Sequence, residues 1–322
     1  MTFKKNMLRL VKIIIISLIY LLHLESQSVL GQQDAHYTQY IYSTMVINPA
    51  YAGSNEEWRV NLLHRTQWLG IDGAPSTQVF SVDFPARNKV GLGLSFGQDA
   101  IGPSKNIDVN GNFSYTINLF NKYTKDVNNR YTKLAFGLKA GIGSFSLDLT
   151  ELNPKDFAEP FINQKINELL PVVGIGVFVY DNRWYAGLSS PNVLESKHYS
   201  AELGSSRVRS VHIYAMGGYV HDFRNGLELQ PTVLLKMAKS APISIDIAAN
   251  LIFNRFFVLG ASYRLGTNFS ALTGFQVNKE LLLGYAYDFD TSDLGEFSFG
   301  SHEFFIRYRF SRIGYRITPR FY

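Results

Sequence analysis

Polar and apolar residues alternate along much of this chain. From Ile107 the odd positions read Ile107, Val109, Gly111, Phe113, Tyr115, Ile117 and Leu119. The even ones read Asp108, Asn110, Asn112, Ser114, Thr116 and Asn118. Period two over thirteen residues marks a strand with one apolar face, since a helix would repeat at 3.6. Residues 243–253 repeat the pattern, with Ile243, Ile245, Ile247, Ala249, Leu251 and Phe253 set against Ser244, Asp246 and Asn250. Near the end of the chain, Phe304, Ile306, Tyr308 and Phe310 share one face, and Glu303, Phe305, Arg307 and Arg309 the other. Such runs predict about fourteen strands: 58–69, 76–86, 89–98, 105–121, 131–148, 171–181, 183–189, 207–221, 226–238, 241–253, 256–265, 267–278, 280–288 and 301–310. Tight turn signals separate several of them, including Asp181-Asn182-Arg183, Arg224-Asn225-Gly226, Asn254-Arg255 and Asn278-Lys279.

Connection lengths sort by parity. If the first strand starts on side A, those four turns and the Pro85–Asn88 link fall on side A. The longest connections, about 149–170, 190–206 and 289–300, fall on the opposite side. An up-and-down outer-membrane barrel separates short periplasmic turns from long outer loops in this way. Residues 122–130 break the rule as a longish connection on side A. Eight strands close around packed side chains, but fourteen enclose a lumen too wide for them to fill. Asp246, Arg264, Glu303, Arg307 and Arg309 therefore belong inside, because an Arg at the lipid midplane costs roughly 2–4 kcal/mol. Tyr285, Tyr287, Phe289, Tyr308 and Phe310 lie near strand ends on the apolar faces, as an interfacial girdle requires. The expected fold is an all-β, about 14-stranded up-and-down transmembrane β-barrel with an N-terminal periplasmic or plug segment. A soluble all-β protein is the alternative.

Residues 1–31 read as a secretory signal peptide. Lys4, Lys5, Arg9 and Lys12 precede an apolar run from Ile13 to Leu22, and Val29, Leu30 and Gly31 offer small-residue cleavage before Gln32. Ten apolar residues are too few for a membrane-spanning helix. The expected organisation is 1–31 signal peptide, 32–57 lead-in segment and 58–322 barrel. The segment 1–31 holds four of the 31 basic and one of the 26 acidic residues, which leaves 27 against 25 in the mature chain. The basicity is mostly targeting and gives no support for nucleic-acid binding. Absence of cysteine excludes a lipid anchor on a thiol, a disulfide framework and Cys-based metal sites.

Two segments depart from alternation. In 32–57, Asp34 is a candidate cap for a short helix presenting Tyr37, Ile41 and Met45, ended by Asn48-Pro49. It is read as a lumen plug, a dock for a periplasmic partner, or a lead-in packed on the rim. In 156–170, Phe161, Ile162, Ile166, Leu169 and Leu170 suggest a second helical face after Pro160. Catalytic signatures are sparse. His302-Glu303-Phe304-Phe305-Ile306 lacks the second His of a zinc helix and lies on a strand. Gly91-Leu92-Gly93 and Gly174-Ile175-Gly176 sit inside strands, where they thin the wall, and not between strand and helix as a phosphate loop requires. Asp288, Asp290 and Asp293 are read as solvated loop charges, with convergence on His198 or a cation as the alternative. No cofactor, metal or enzyme chemistry is expected.

Several stretches taken together resemble the PorP/SprF family of outer-membrane proteins associated with type IX secretion and gliding. They are Gln33-Asp34, Tyr37-x-Gln39-Tyr40, Asn48-Pro49-Ala50-Tyr51-Ala52-Gly53-Ser54, Arg65-x-Gln67-Trp68-x-Gly70 and Gly73-Ala74-Pro75-x-Thr77. Further along come Gly218-Tyr219, Leu229-x-Pro231, Ser262-Tyr263-Arg264, Gly284-Tyr285-Ala286-Tyr287-Asp288 and Ser301-His302-Glu303. The resemblance runs from residue 33 to about 310. The basic tail with Arg312, Arg316 and Arg320 extends beyond the usual final strand. It implies a non-enzymatic outer-membrane component that supports export or surface attachment of large adhesins or other cargo, with gliding as a possible output. Implied partners are the secreted adhesin or cargo, periplasmic ring proteins of the secretion machine, and outer-membrane lipid. Asn48, Pro49, Tyr51, Gly53, Gln67, Trp68 and Gly70 form the candidate partner-binding signature, equally explicable as turn and rim residues. A diffusion porin or substrate channel is the alternative function.

Overall fold

The computed structural model describes residues 37–55, 57–87, 89–119, 132–151, 165–200, 205–238, 241–291 and 293–310. Its strands are β1 (Trp58–Thr66), β2 (Ser76–Arg87), β3 (Val90–Ile101), β4 (Ser104–Asn118), β5 (Lys133–Asp148), β6 (Lys165–Tyr180), β7 (Trp184–Ser190), β8 (Ser196–Ser200) and β9 (Ser205–Arg209). They continue as β10 (His212–Tyr219), β11 (His221–Asp222), β12 (Leu227–Ala238), β13 (Ser244–Phe253), β14 (Phe257–Arg264), β15 (Asn268–Gln276), β16 (Leu281–Asp290) and β17 (Ser301–Phe310).

Every pairing is antiparallel, and neighbours in the sheet follow chain order. The first strand meets the last in an unbroken register from Trp58↔Phe310 to Thr66↔His302, and β10 pairs with both β7 and β12. The ring of strands therefore closes on itself, and the upper part of β6, from Lys165, is laddered to β5 alone among the described residues. β10 and β11 are one wall strand, since both pair with β12 in a single register and the Val220 between them continues the β7 ladder by donating to the Arg183 carbonyl. Counted so, the barrel has fourteen strands, with β8 and β9 forming a separate hairpin beyond the wall.

Alternation places the chemistry as the pattern requires. Leu138, Ile142, Ile247 and Phe304 are each more than half exposed on the outer face, whereas Arg59, Arg65, Glu303 and Arg307 are at most 2 % exposed inside. A soluble core would have the opposite polarity. The short turns carry the backbone that tight reversal needs: Asn254 and Arg255 have φ of 48° and 57°, and Arg224 of 62°. Positive φ at both central residues matches the right-handed twist of the strands it joins.

Three expectations need correction. Residues 165–170 form the start of β6, not a helix, because β5 continues its ladder with them as far as Asp148↔Lys165. Ile166, Leu169 and Leu170 accordingly alternate on a strand, with Leu169 three-quarters exposed. Pro160, Phe161 and Ile162 lie outside the described residues. The expected loop 190–206 contains β8, which pairs with β9, and the wall strand placed at 207–221 begins only at His212. The lead-in helix is also shorter than predicted: only Thr44–Ile47 is α-helical (α1), between turns at 38–43 and a 3-10 turn at Pro49–Tyr51. Asp34 lies outside the described residues, as do 122–130.

Placing Ile247 against hydrocarbon has a measurable consequence. Ile247→Arg is expected to lower the unfolding free energy of the barrel in phospholipid vesicles by about 2–4 kcal/mol. Ile247→Leu should change it by less than about 1.5 kcal/mol. Denaturant titration of both proteins tests this, and equal stabilities would remove that face from the membrane.

Candidate functional site

Residues 37–54 pass through the lumen, most of them buried against its wall. They enter beside the long-loop ends of the strands, descend along the wall, and leave at the opposite end into β1. Three polar anchors hold the path, each matching a group that a strand buries.

The upper anchor gathers five residues. The Arg65 guanidinium lies 2.6 Å from Asp288 and 3.3 Å from Glu303. Glu303 accepts from the backbone amides of Thr38 (2.9 Å) and Gln39 (2.7 Å), one on each carboxylate oxygen. The Thr38 hydroxyl accepts from Arg65 at 2.9 Å and donates to Asp288 at 2.8 Å. Two carboxylates face one guanidinium. The amide donors add to it on the Glu303 side, and charge-assisted bonds are about twice as strong as neutral ones. Below lies an aromatic layer. Tyr42 stacks on Phe305 with centroids 4.6 Å apart, and Arg307 sits 5.0 Å over the Tyr42 ring while donating to its carbonyl.

In the middle, the Lys139 ammonium donates to the Val46 carbonyl at 2.6 Å and the Ser189 hydroxyl to that of Ile47 at 3.0 Å. Asn48 is wholly buried. Its amide nitrogen donates to the Val177 carbonyl, and its oxygen caps the Ala50 amide of the 3-10 turn. Gly137 and Gly176 let the backbone come this close, since a Cβ on either would strike Ala50 or Asn48 respectively. At the lower anchor, Arg59 pairs with Asp83 at 2.7 Å and donates to the Tyr51 hydroxyl at 3.0 Å. Gly53 donates to Asp83 at 3.2 Å with φ of +64°, and a Cβ there would meet Gly91 at 2.6 Å. Gly91 and Gly176, read from the sequence as thinning the wall, thin it on the inner face for this segment.

The seven signature residues thus fall into two groups. Asn48, Pro49, Tyr51 and Gly53 lie in the lumen as parts of the plug. Gln67, Trp68 and Gly70 lie on the β1–β2 connection at the long-loop rim. Trp68 has φ of 46° and donates from its indole to Asp290 at 2.7 Å. The Leu69 amide donates to the Gly300 carbonyl and the Leu69 carbonyl accepts from the Phe299 amide, which ties this loop to the β16–β17 loop. Sequence reading had placed Glu303, Arg307 and Asp246 inside. It missed Arg59, Arg65, Asp83 and Thr38, although each strand residue among them carries the inward phase. Asp288 and Asp290 do not converge: one serves the upper anchor and the other Trp68. His302 points away from Glu303 and pairs with the Tyr285 hydroxyl at 2.8 Å. The side chains of His198 and Asp293 lie outside the described residues, and among those described no three His, Asp or Glu groups gather as metal ligands would.

Above the plug a vestibule of about 390 Å³ remains. Its floor is Tyr37, Val46 and Ile47, and its walls are inward residues of β2–β6 and β10.

A closed fourteen-stranded barrel with an apolar outer face, sealed by its own N-terminal segment, is a plugged membrane barrel. The sequence matches the type IX secretion system membrane protein family PorP/SprF over residues 29–308. The chain belongs to that family. Family and fold together point to the outer membrane. No functionally curated protein matches it in sequence. Among solved structures, the CymD monoaromatic hydrocarbon channel shares 13% identity at a TM-score of 0.47, covering 87% of this chain and 93% of its own. The Acinetobacter baumannii outer membrane protein Omp33 shares 10% at 0.39, covering 81% and 100%. Salmonella typhi OmpF shares 10% at 0.36, covering 79% and 96%. These are similarities of barrel fold.

Two substitutions test the fit of the plug. Gly137→Val puts three carbons where the backbone of Pro49 and Ala50 lies, and overpacking of this order costs typically 1–3 kcal/mol. Arg65→Met leaves Asp288 and Glu303 buried without their cation, a loss of about 3–5 kcal/mol. Both variants should lower the temperature at which the folded barrel loses its fast migration in detergent gels. They should also make residues 37–54 accessible to added protease, whereas in the parent protein these residues stay protected.

Proposed function

We propose that this protein is a sealed outer-membrane platform of type IX secretion, which supports export or surface attachment of large adhesins or similar cargo, with gliding as one output. The observation that carries the reading is the plug. A diffusion porin needs a wet, open path, whereas here residues 37–54 lie in the lumen and hydrogen-bond the buried Glu303, Asp83 and Arg59. A barrel whose lumen is occupied by its own chain is suited to holding something. In this reading the faces divide the work, with the long loops turned outward to cargo and the short turns facing periplasmic ring proteins.

The signature divides in the same way. Gln67, Trp68 and Gly70 are taken as the partner-facing group, on two loops stitched together by backbone bonds. Asn48, Pro49, Tyr51 and Gly53 act from within, by fixing the plug. The chemistry is non-enzymatic. Residues 1–31 are taken as a cleaved signal, 32–57 as the lead-in and 58–322 as the barrel unit, so Edman sequencing of envelope-purified protein should begin at Gln32.

Two measurements separate platform from pore. The pure barrel in planar bilayers should show no steady conductance, and steady open currents would favour the channel reading. Affinity capture from detergent-solubilised envelopes should bring down a large exported adhesin or a periplasmic ring protein. Trp68→Ala should weaken capture of the cargo while leaving barrel folding intact. Repeated recovery of the barrel alone would overturn the proposal.

A further inference from the structure

The strand ladder stops short on one side of β6. β5 and β6 are each 16 residues long and pair along their whole length, from Lys133↔Tyr180 to Asp148↔Lys165. Crossing a bilayer takes about 9–11 residues, so their upper ends stand beyond it on the long-loop side. β7 has only 7 residues and covers β6 from Ile175 to Tyr180. One step higher, the Val173 carbonyl accepts from the Val193 amide, and the Val173 amide donates to the Asn192 side chain at 3.3 Å. The chain then turns away into β8 and β9, which pair with each other and with no other described strand. In an antiparallel sheet, alternate residues turn both main-chain groups to the same side. Val173 bonds on the β7 side, as does Asp181 through its amide to Trp184. Asn167, Leu169 and Pro171 share that phase, and no described strand pairs with them there.

Pro171 supports the same reading. A proline has no amide hydrogen and within sheets is confined to edges and strand starts, and the phase of Pro171 puts the missing donor on the open side. Asn167 and Leu169 keep theirs. Each turns one donor and one acceptor outward from a strand whose other side is fixed by β5. Leu169 beside them is 75 % exposed. Such an edge accepts an added strand through main-chain bonds, with alternate side chains setting preference. Symmetry bears on whose strand it is. A second barrel in the same membrane is related to the first by a two-fold axis along the membrane normal. With strands tilted by roughly 35–45°, two copies of β6 would cross at about 70–90°, twice the tilt, and could not form a ladder. The geometry therefore favours a different polypeptide, and the long-loop side admits one from outside the barrel.

We propose that the open edge of β6, between Lys165 and Pro171, receives one extended segment of an exported polypeptide as an added strand. The source of that segment rests on the secretory reading, whereas the edge does not. Residue-resolved amide exchange on the purified full barrel in detergent tests the edge. Asn167 and Leu169 should exchange fast, beside the slow amides of Glu168 and Leu170 that face β5. The probe is a capped peptide of alternating threonine and valine with a lysine at each end. Its control carries two central prolines and cannot form a ladder. The probe should bind saturably at one site per barrel and slow both amides about tenfold or more, and the control should do neither. Leu169→Pro removes an edge donor and leaves the β5 ladder alone, so it should weaken the probe about tenfold or more, while Leu169→Ala stays within about threefold. Heat-modifiable migration in gels reports that both variants fold. Slow exchange of Asn167 and Leu169 in the barrel alone overturns the proposal, because the chain then covers its own edge. So does an absence of saturable binding, or equal binding by Leu169→Pro. The source is read by affinity capture, where Leu169→Pro should lose the adhesin and Leu169→Ala should keep it. Capture that survives Leu169→Pro overturns the edge as the cargo contact and leaves the secretory role standing. Probe binding with no adhesin captured by the parent barrel leaves the edge standing and removes the role.

Discussion

Charge buried inside a membrane-embedded cylinder must be matched from within, and the rest of this structure follows from that constraint. Period-two strands put apolar side chains in lipid and leave Arg59, Arg65, Asp83, Asp288, Glu303 and Arg307 on the inner wall. With water excluded, an unpaired member of this set would cost several kcal/mol. Wall-to-wall pairs satisfy part of the demand, as Arg264 and Asp246 do through two bonds of 2.7 and 2.9 Å. Glu303 is different, because two of its partners are backbone amides of the N-terminal segment. Without the plug, Glu303 would lose both of these amide donors.

The anchors also cluster in a telling place. Arg59 and Arg65 are on β1, Asp83 on β2, Asp288 on β16, and Glu303 and Arg307 on β17. The first and last strands meet here, at the seam that closes the barrel and joins residues some 250 apart in sequence. Long-range closure is entropically slow to form. A segment that bonds both sides of the seam adds cohesion where the chain itself supplies none. Away from the seam the plug is held by Lys139, Ser189 and the Asn48–Val177 bond, with glycines on β3, β5 and β6 letting its backbone press against the wall.

Much of this was legible beforehand, and the misses have a common origin. Strand existence, strand number and the inward phase of Glu303, Arg307 and Asp246 follow from a local rule, since a side chain's face depends only on its parity. The sequence could not show that Arg65 would lie between Asp288 and Glu303, because those residues are far apart in the chain and only register brings them level. The same holds for residues 165–170. Their apolar spacing fits a helix in isolation, but a strand already waiting in β5 offered each of their backbone groups a partner. In the 32–57 segment, Tyr37, Ile41 and Met45 suggested a longer helix. The wall instead contributes Arg307, Lys139 and Glu303 as competing partners for its backbone, and only one α-turn is present among the described residues.

The sequence by itself therefore determined the barrel: which segments are strands, which side of each meets hydrocarbon, and how many strands close. These are set by alternation and by the cost of polar groups in lipid, both readable one neighbour at a time. Only the tertiary structure decided that residues 37–54 run through the lumen, where the two halves of the signature lie, and that a vestibule remains above the plug. Each depends on which distant side chains share a depth in the barrel, and that is fixed by strand register and by the course of residues 37–54 across the lumen.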